Sequence, residues 1–148
     1  MKKVLIAYFS LAGHTENMAQ YISEGIRFSG TEAIMKNISD IKSSEDLMGF
    51  DGYILGSPTY HREMAGPMKT FLFLFRKVDV SGKLAGAFGS YTHDGNAPKD
   101  ILDTLQFVFK MVPFELNSLN MVESVAETAE GMRACQDYGK VFGQQLNV

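Results

Sequence analysis

A single cysteine, Cys135, excludes an internal disulfide and fits a reducing compartment. It lies in a stretch of helical spacing, where a buried and unreactive thiol is expected. No block of basic residues occurs. The 14 Lys and Arg stand against 17 Asp and Glu, for a net charge of −3. That balance argues against nucleic acid and anionic membranes as partners. The apolar runs are too short to span a membrane, and Lys2-Lys3 leads straight into a strand rather than a signal peptide. The expected location is therefore cytoplasmic. There is no internal repeat, no low-complexity tract and no linker, so residues 1–148 read as one domain. His and Cys nowhere take metal-ligand spacing, so no metal site is expected. No side chain is nominated as catalytic. The nine methionines serve as core filler.

What is present centres on Val4-Leu5-Ile6-Ala7-Tyr8-Phe9-Ser10-Leu11-Ala12-Gly13-His14-Thr15-Glu16-Asn17. The apolar start suits a strand buried on both faces of a parallel sheet. A short loop of small and hydroxyl residues follows. Met18, Ile22 and Ile26 then recur every four residues, the mark of a helix. Free N–H groups and the positive dipole end of a helix start make an anion site. No Lys or Arg lies between Val4 and Gln20, so a dianion there depends on N–H and O–H donors. Each such hydrogen bond is worth roughly 1.5–3 kcal/mol, against about 0.3–1 for the dipole. Four or five converging donors therefore suffice for a phosphate monoester. The alternative is an ordinary helix with Ser or Thr as its cap.

The remaining chain alternates strand and helix. The pattern predicts helices over about 14–28, 65–77, 98–111 and 129–146, and a short one around 45–48 capped by Ser43 or Ser44. It predicts further strands over 31–38, at a sheet edge, and over 52–57, 83–91 and 114–122. Five such alternations imply an α/β sandwich around a parallel sheet. Ligands in these folds bind beyond the carboxyl ends of the strands. Three strand ends carry suitable residues. The first is Ser10 to Thr15. The second is Ser57-Pro58-Thr59-Tyr60-His61. The third is Ser90-Tyr91-Thr92-His93-Asp94-Gly95-Asn96. A phosphate cradle between two aromatic-bearing loops suits a flat ring system with a phosphate tail.

Together these motifs resemble a flavodoxin over essentially the whole chain. Ser10-Leu11-Ala12-Gly13-His14-Thr15 is similar to the family's phosphate loop, Ser/Thr-x-Ser/Thr-Gly-x-Thr; Ala12 departs from it and removes one hydroxyl. Gly56-Ser57-Pro58-Thr59-Tyr60 with Arg62 and Met64, and Phe88-Gly89-Ser90-Tyr91 with Gly95, resemble most the flavodoxin module of flavodiiron proteins, here in a free-standing, short-chain form. The resemblance implies a flavodoxin-like three-layer sandwich: a five-stranded parallel sheet in the order 2-1-3-4-5, with helices on both faces. It implies flavin mononucleotide (FMN) as cofactor, held by Ser10, Leu11, Ala12, Gly13, His14, Thr15, Ser57, Pro58, Thr59, Tyr60, His61, Ser90, Tyr91, Thr92, His93, Asp94, Gly95 and Asn96. Tyr91 is the expected outer stacking residue and Tyr60 the second; Tyr8 and Phe9 belong to the core. His14 is expected to offer its backbone N–H while its ring meets solvent. Neither a Gly-x-Gly-x-x-Gly dinucleotide pattern nor a Gly-x-x-x-x-Gly-Lys loop follows a predicted strand. Ser10 and Ser57 stand where a phosphorelay receiver needs acidic residues.

The resemblance favours an electron carrier that serves transient redox partner proteins. Asp94 and Glu63 would then lower the flavin potential through their negative charge. An FMN-dependent NAD(P)H:quinone or flavin reductase of the same fold is the alternative. A third reading, a fold used only for protein contacts, rests solely on the Ala12 departure.

Overall fold

In the computed structural model, which describes residues 1–148, the opening apolar run forms β1 (Lys3–Tyr8). Its side chains alternate between two cores. Leu5 and Ala7 enter one, and Val4, Ile6 and Tyr8 enter the other. A strand buried on both faces has no polar side to show, which is why its sequence lacks the usual alternation. Helix α1 (His14–Phe28) follows, then β2 (Glu32–Asn37), which pairs parallel to β1 at the sheet edge. A 3-10 turn over Ser44–Leu47 precedes β3 (Gly52–Gly56). Asp46 opens that turn by accepting the N–H groups of Lys42 and Ser43 (2.9 and 3.3 Å).

Beyond β3 the chain makes a small antiparallel hairpin, β4 (Thr59–Tyr60) and β5 (Glu63–Met64). Next come α2 (Gly66–Leu72), β6 (Leu84–Tyr91), α3 (Ala97–Phe107) and β7 (Val112–Val122). A short α4 (Glu123–Ala126) and the long α5 (Ala129–Leu146) close the chain. The main sheet runs β2-β1-β3-β6-β7 with every pairing parallel. Counting only these five strands, this is the expected 2-1-3-4-5 order. Helices α1 and α5 cover one face, through Met18, Ile22, Ile26, Tyr138 and Phe142; α2 and α3 cover the other, through Met68, Phe71, Ile101 and Leu105. Each fully buried large side chain contributes roughly 1.5–3 kcal/mol. Gly25 and Gly139 let α1 and α5 touch backbone to backbone, since a Cβ at either would sit about 2 Å from a carbonyl of the other helix.

Three expectations need correction. The helix predicted over 65–77 stops at Leu72 and tightens to a 3-10 helix over Phe73–Lys77. The helix predicted to reach residue 111 ends at Phe107, because Lys110 takes a positive φ of 62° and turns the chain into β7. The stretch 123–126, for which the sequence pattern predicts no element, is a turn of helix.

The β6–β7 ladder breaks between Ala85 and Ala87, where the pairing register shifts from Pro113 to Ser118. The Tyr138 hydroxyl fills the break from α5. It accepts the Ala87 N–H (3.0 Å) and donates to the Asn117 carbonyl (2.6 Å). Burial pushes this phenol far above its ordinary range. No helix is long and apolar enough to cross a membrane.

Candidate functional site

The loop between β1 and α1 determines what this end of the sheet can hold. Gly13 precedes α1 in a left-handed conformation (φ 99°), and no side chain caps the helix. The expected alternative, a Ser or Thr cap, is therefore not what forms. Ser10 Oγ instead accepts the Gly13 N–H (3.1 Å), which curls the loop back on itself. The first helical hydrogen bond runs from the Asn17 N–H to the Gly13 carbonyl (3.0 Å). The N–H groups of His14, Thr15 and Glu16 precede it and have no partner within the protein. Three free donors at the positive end of a 15-residue helix fit an anion. Thr15 Oγ1 lies 3.3 Å from Ser90 Oγ, so the first and third loops meet beneath them.

Ser10, Leu11, Ala12, His14, Thr15, Pro58, Tyr60, Ser90 and Glu123 line a depression over this helix start. It is narrow, about 10 Å³. Tyr60 also belongs to an adjoining cleft of about 510 Å³, lined by Thr59, His61, Arg62, Thr92, His93 and Asp94 as well. That volume lies in the range of pockets that take drug-sized ligands.

The rigid frame consumes several residues expected to face a ligand. Ser57 is fully buried; its hydroxyl donates to the Pro58 carbonyl (2.9 Å) and accepts the Ala65 N–H (3.0 Å). Thr59 Oγ1 accepts the Ala97 N–H (3.1 Å), and Asn96 Oδ1 caps α3 by accepting the Lys99 N–H (3.1 Å). Tyr91, the expected outer stacking residue, lines neither the depression nor the cleft; Tyr60 lines both.

Two loops form the cleft walls, and they lock together. The β4–β5 tip places His61 and Arg62 at positive φ (49° and 70°), as a two-residue turn with matching twist requires. Arg62 bridges to Gly95 through the backbone and pairs with the Asp94 carboxylate (3.0 Å). Gly95 itself has φ 98°, and its carbonyl accepts from Asn120 Nδ2 (3.1 Å). The other oxygen of that amide, Asn120 Oδ1, is the one buried side-chain polar atom without a partner.

The charges differ from expectation. Asp94 is neutralised by Arg62, and Glu63 by Lys69 (2.9 Å), so neither acts as a free negative charge beside the cleft. The His14 ring does not simply meet solvent. Its Nδ1 donates to Glu127 Oε1 (2.8 Å), and its Nε2 lies 3.8 Å from Glu123 Oε2. Asn17 Nδ2 also donates to both oxygens of Glu127 (3.1 and 3.0 Å). The His14 and Asn17 hydrogen bonds hold the Glu127 carboxyl below its ordinary range. Burial, and then the charge of Glu123, pushes the Tyr60 phenol up. Arg62, Glu123 and Glu127 are not among the site residues that the sequence suggests. The last two arrive from more than a hundred residues away, and nothing local marks them.

The model of the family described as NADPH-dependent FMN reductase matches residues 41–126, more than half of the chain, and takes in the second and third loops. A flavodoxin from the domain Archaea is 25% identical, covers 99% of each chain and superposes with a TM-score of 0.89. Flavodoxin 1 from Bacillus cereus is 25% identical over 95% of this chain and 97% of its own, with a TM-score of 0.83. The flavodiiron protein from Giardia intestinalis shares the fold (TM-score 0.88, 22% identity), but this chain spans only 36% of it.

Proposed function

Because the chain belongs to the NADPH-dependent FMN reductase family and has the flavodoxin fold over its full length, we propose that it binds one FMN and passes electrons between redox partner proteins. The uncapped start of α1 carries this reading. Its three partnerless N–H groups ask for an anion, and they open beside a cleft of suitable volume.

Ser10, His14, Thr15 and Glu16 would hold the phosphate through backbone N–H and hydroxyl donors, with Ser90 supporting Thr15 from below. The depression is narrow, so admitting a phosphoryl group requires that lining side chains such as Tyr60 draw back. Tyr60 would then lie along the cleft, where its ring can stack on a flat ligand. The hairpin tip and residues 92–94 would flank the ring system and exclude water from it. When bound, FMN supplies the redox chemistry. The Arg62–Asp94 pair keeps the local charge balanced and the two walls at a fixed spacing. Partners would dock transiently on the exposed cleft edge. The lone buried thiol supports a cytoplasmic setting.

The family match favours a second reading, direct reduction by NADPH as an FMN reductase. Anaerobic mixing of the FMN-loaded protein with NADPH separates the two. A carrier keeps its oxidised flavin absorbance for minutes with NADPH yet loses it with a one-electron chemical reductant. Bleaching by NADPH within seconds would overturn the carrier role in favour of the enzyme.

A further inference from the structure

The cradle contains no lysine or arginine, yet Glu123 lines it and Glu127 borders it. A phosphate dianion placed there meets negative charge already present. One group can offset that charge. His14 lines the depression, and its two ring nitrogens have different partners. Nδ1–H is committed to Glu127. In the neutral ring Nε2 then carries a lone pair, and that lone pair faces Glu123 Oε2 at 3.8 Å. No other residue lining the depression supplies a cation. Glu16 on α1 accepts from the Tyr8 hydroxyl (2.9 Å) and adds a further negative charge, Asn17 is neutral and bound to Glu127, and Tyr60 across the depression is a neutral phenol. Arg62 lines the neighbouring cleft and is paired with Asp94.

We propose that His14 is the residue by which the cradle reads the charge of its ligand: when a phosphate monoester binds, the imidazole takes up one proton from solvent at Nε2. The ring then donates from both nitrogens. It becomes the cation between Glu123, Glu127 and the phosphate. This rests on the reading above that a phosphate occupies the loop. Phosphate recognition weakens as pH rises through the histidine range, because binding takes up a proton. The ligand's own second ionisation, near pH 6, runs the opposite way, since the dianion becomes more abundant as pH rises.

The test compares FMN with riboflavin, which lacks the phosphate, by quenching of flavin fluorescence on the apoprotein. The FMN-to-riboflavin affinity ratio should be about tenfold larger near pH 6.5 than near pH 8.5. In His14→Asn the ratio should be flat or rise with pH. In Glu127→Gln the fall should persist but move to lower pH, a shift that a purely structural role would not cause. The His14 ring resonances should also titrate at higher pH with FMN bound than without. Tight FMN binding with a pH-independent ratio would overturn the role of His14 alone, as would an unchanged profile in His14→Asn. Failure to bind FMN at either pH would overturn both this inference and the phosphate reading beneath it.

Discussion

Replacing Gly95 by alanine tests whether the two cleft walls are truly seated on each other. Gly95 has φ 98°, and a Cβ there would stand 2.6 Å from Arg62 Cα and 2.9 Å from the Arg62 carbonyl oxygen. Backbone atoms cannot rotate away, so the hairpin tip must move. Left-handed strain in a residue with a Cβ costs roughly 1–2 kcal/mol, and forced overpacking adds about 1–3. Gly13 provides the control. Its φ is 99°, but nothing lies within 4 Å of the added carbon. Gly13→Ala should therefore lose only the strain, about 1–2 kcal/mol, and Gly95→Ala about 2–5. Urea unfolding reads both. With one shared slope of about 2 kcal/mol per molar, the Gly95 variant should lose about 1–2.5 M of midpoint against about 0.5–1 M for the control. Equal losses, or a Gly95→Ala variant within about 1 kcal/mol of the parent, would refute the contact between the loops.

Tyr138→Phe strands the Ala87 N–H and the Asn117 carbonyl at the β6–β7 break; it should cost about 2–4 kcal/mol, and a loss under about 0.5 would contradict the bracing role. Alkaline stability follows from burial, which pushes the Cys135 thiol from 9.0 up to about 12 and the Tyr53 phenol from 10.0 up to about 12. The unfolded chain releases these protons first, so stability falls as pH rises above about 9 and falls more steeply above about 10. Cys135→Ala should flatten the first part of that slope in urea midpoints measured against pH, and an unchanged slope would remove the thiol as its cause. Asp94→Asn leaves the Arg62 charge unbalanced beside the cleft. Removing one negative charge from the cleft edge favours the more negative, reduced flavin, so a redox titration should show the two-electron potential rising. A fall would contradict the placement of that charge.

Local signals carried much of this fold into the sequence. The run from Val4 to Tyr8, the helical spacing of Met18, Ile22 and Ile26, and the small residues of Leu84–Tyr91 each fix an element from nearby side chains alone. The β4–β5 hairpin was not legible. Its strands are two residues long, and its tip uses His61 and Arg62 at positive φ, where Gly or Asn would have announced a turn. The candidate site divides the same way. Loops at strand ends can be read from residue types, but which hydroxyls face inward depends on packing. Ser57 and Thr59 looked like ligand donors and turn out to tie loops to α2 and α3. Charge was least legible of all. From sequence Asp94 reads as a free carboxylate, but the turn at Arg62 brings a guanidinium to 3.0 Å; His14 reads as solvated, but α4 and the residue after it deliver Glu123 and Glu127.

The proposed function depends on the donors at the start of α1 gripping a phosphoryl group. Titrating ¹⁵N-labelled apoprotein with FMN observes those donors directly. The amide protons of Ser10 to Glu16 should move downfield, most strongly at His14, Thr15 and Glu16, and saturate at one equivalent. Saturable flavin binding that leaves those amides in place, or no binding at all, would contradict it.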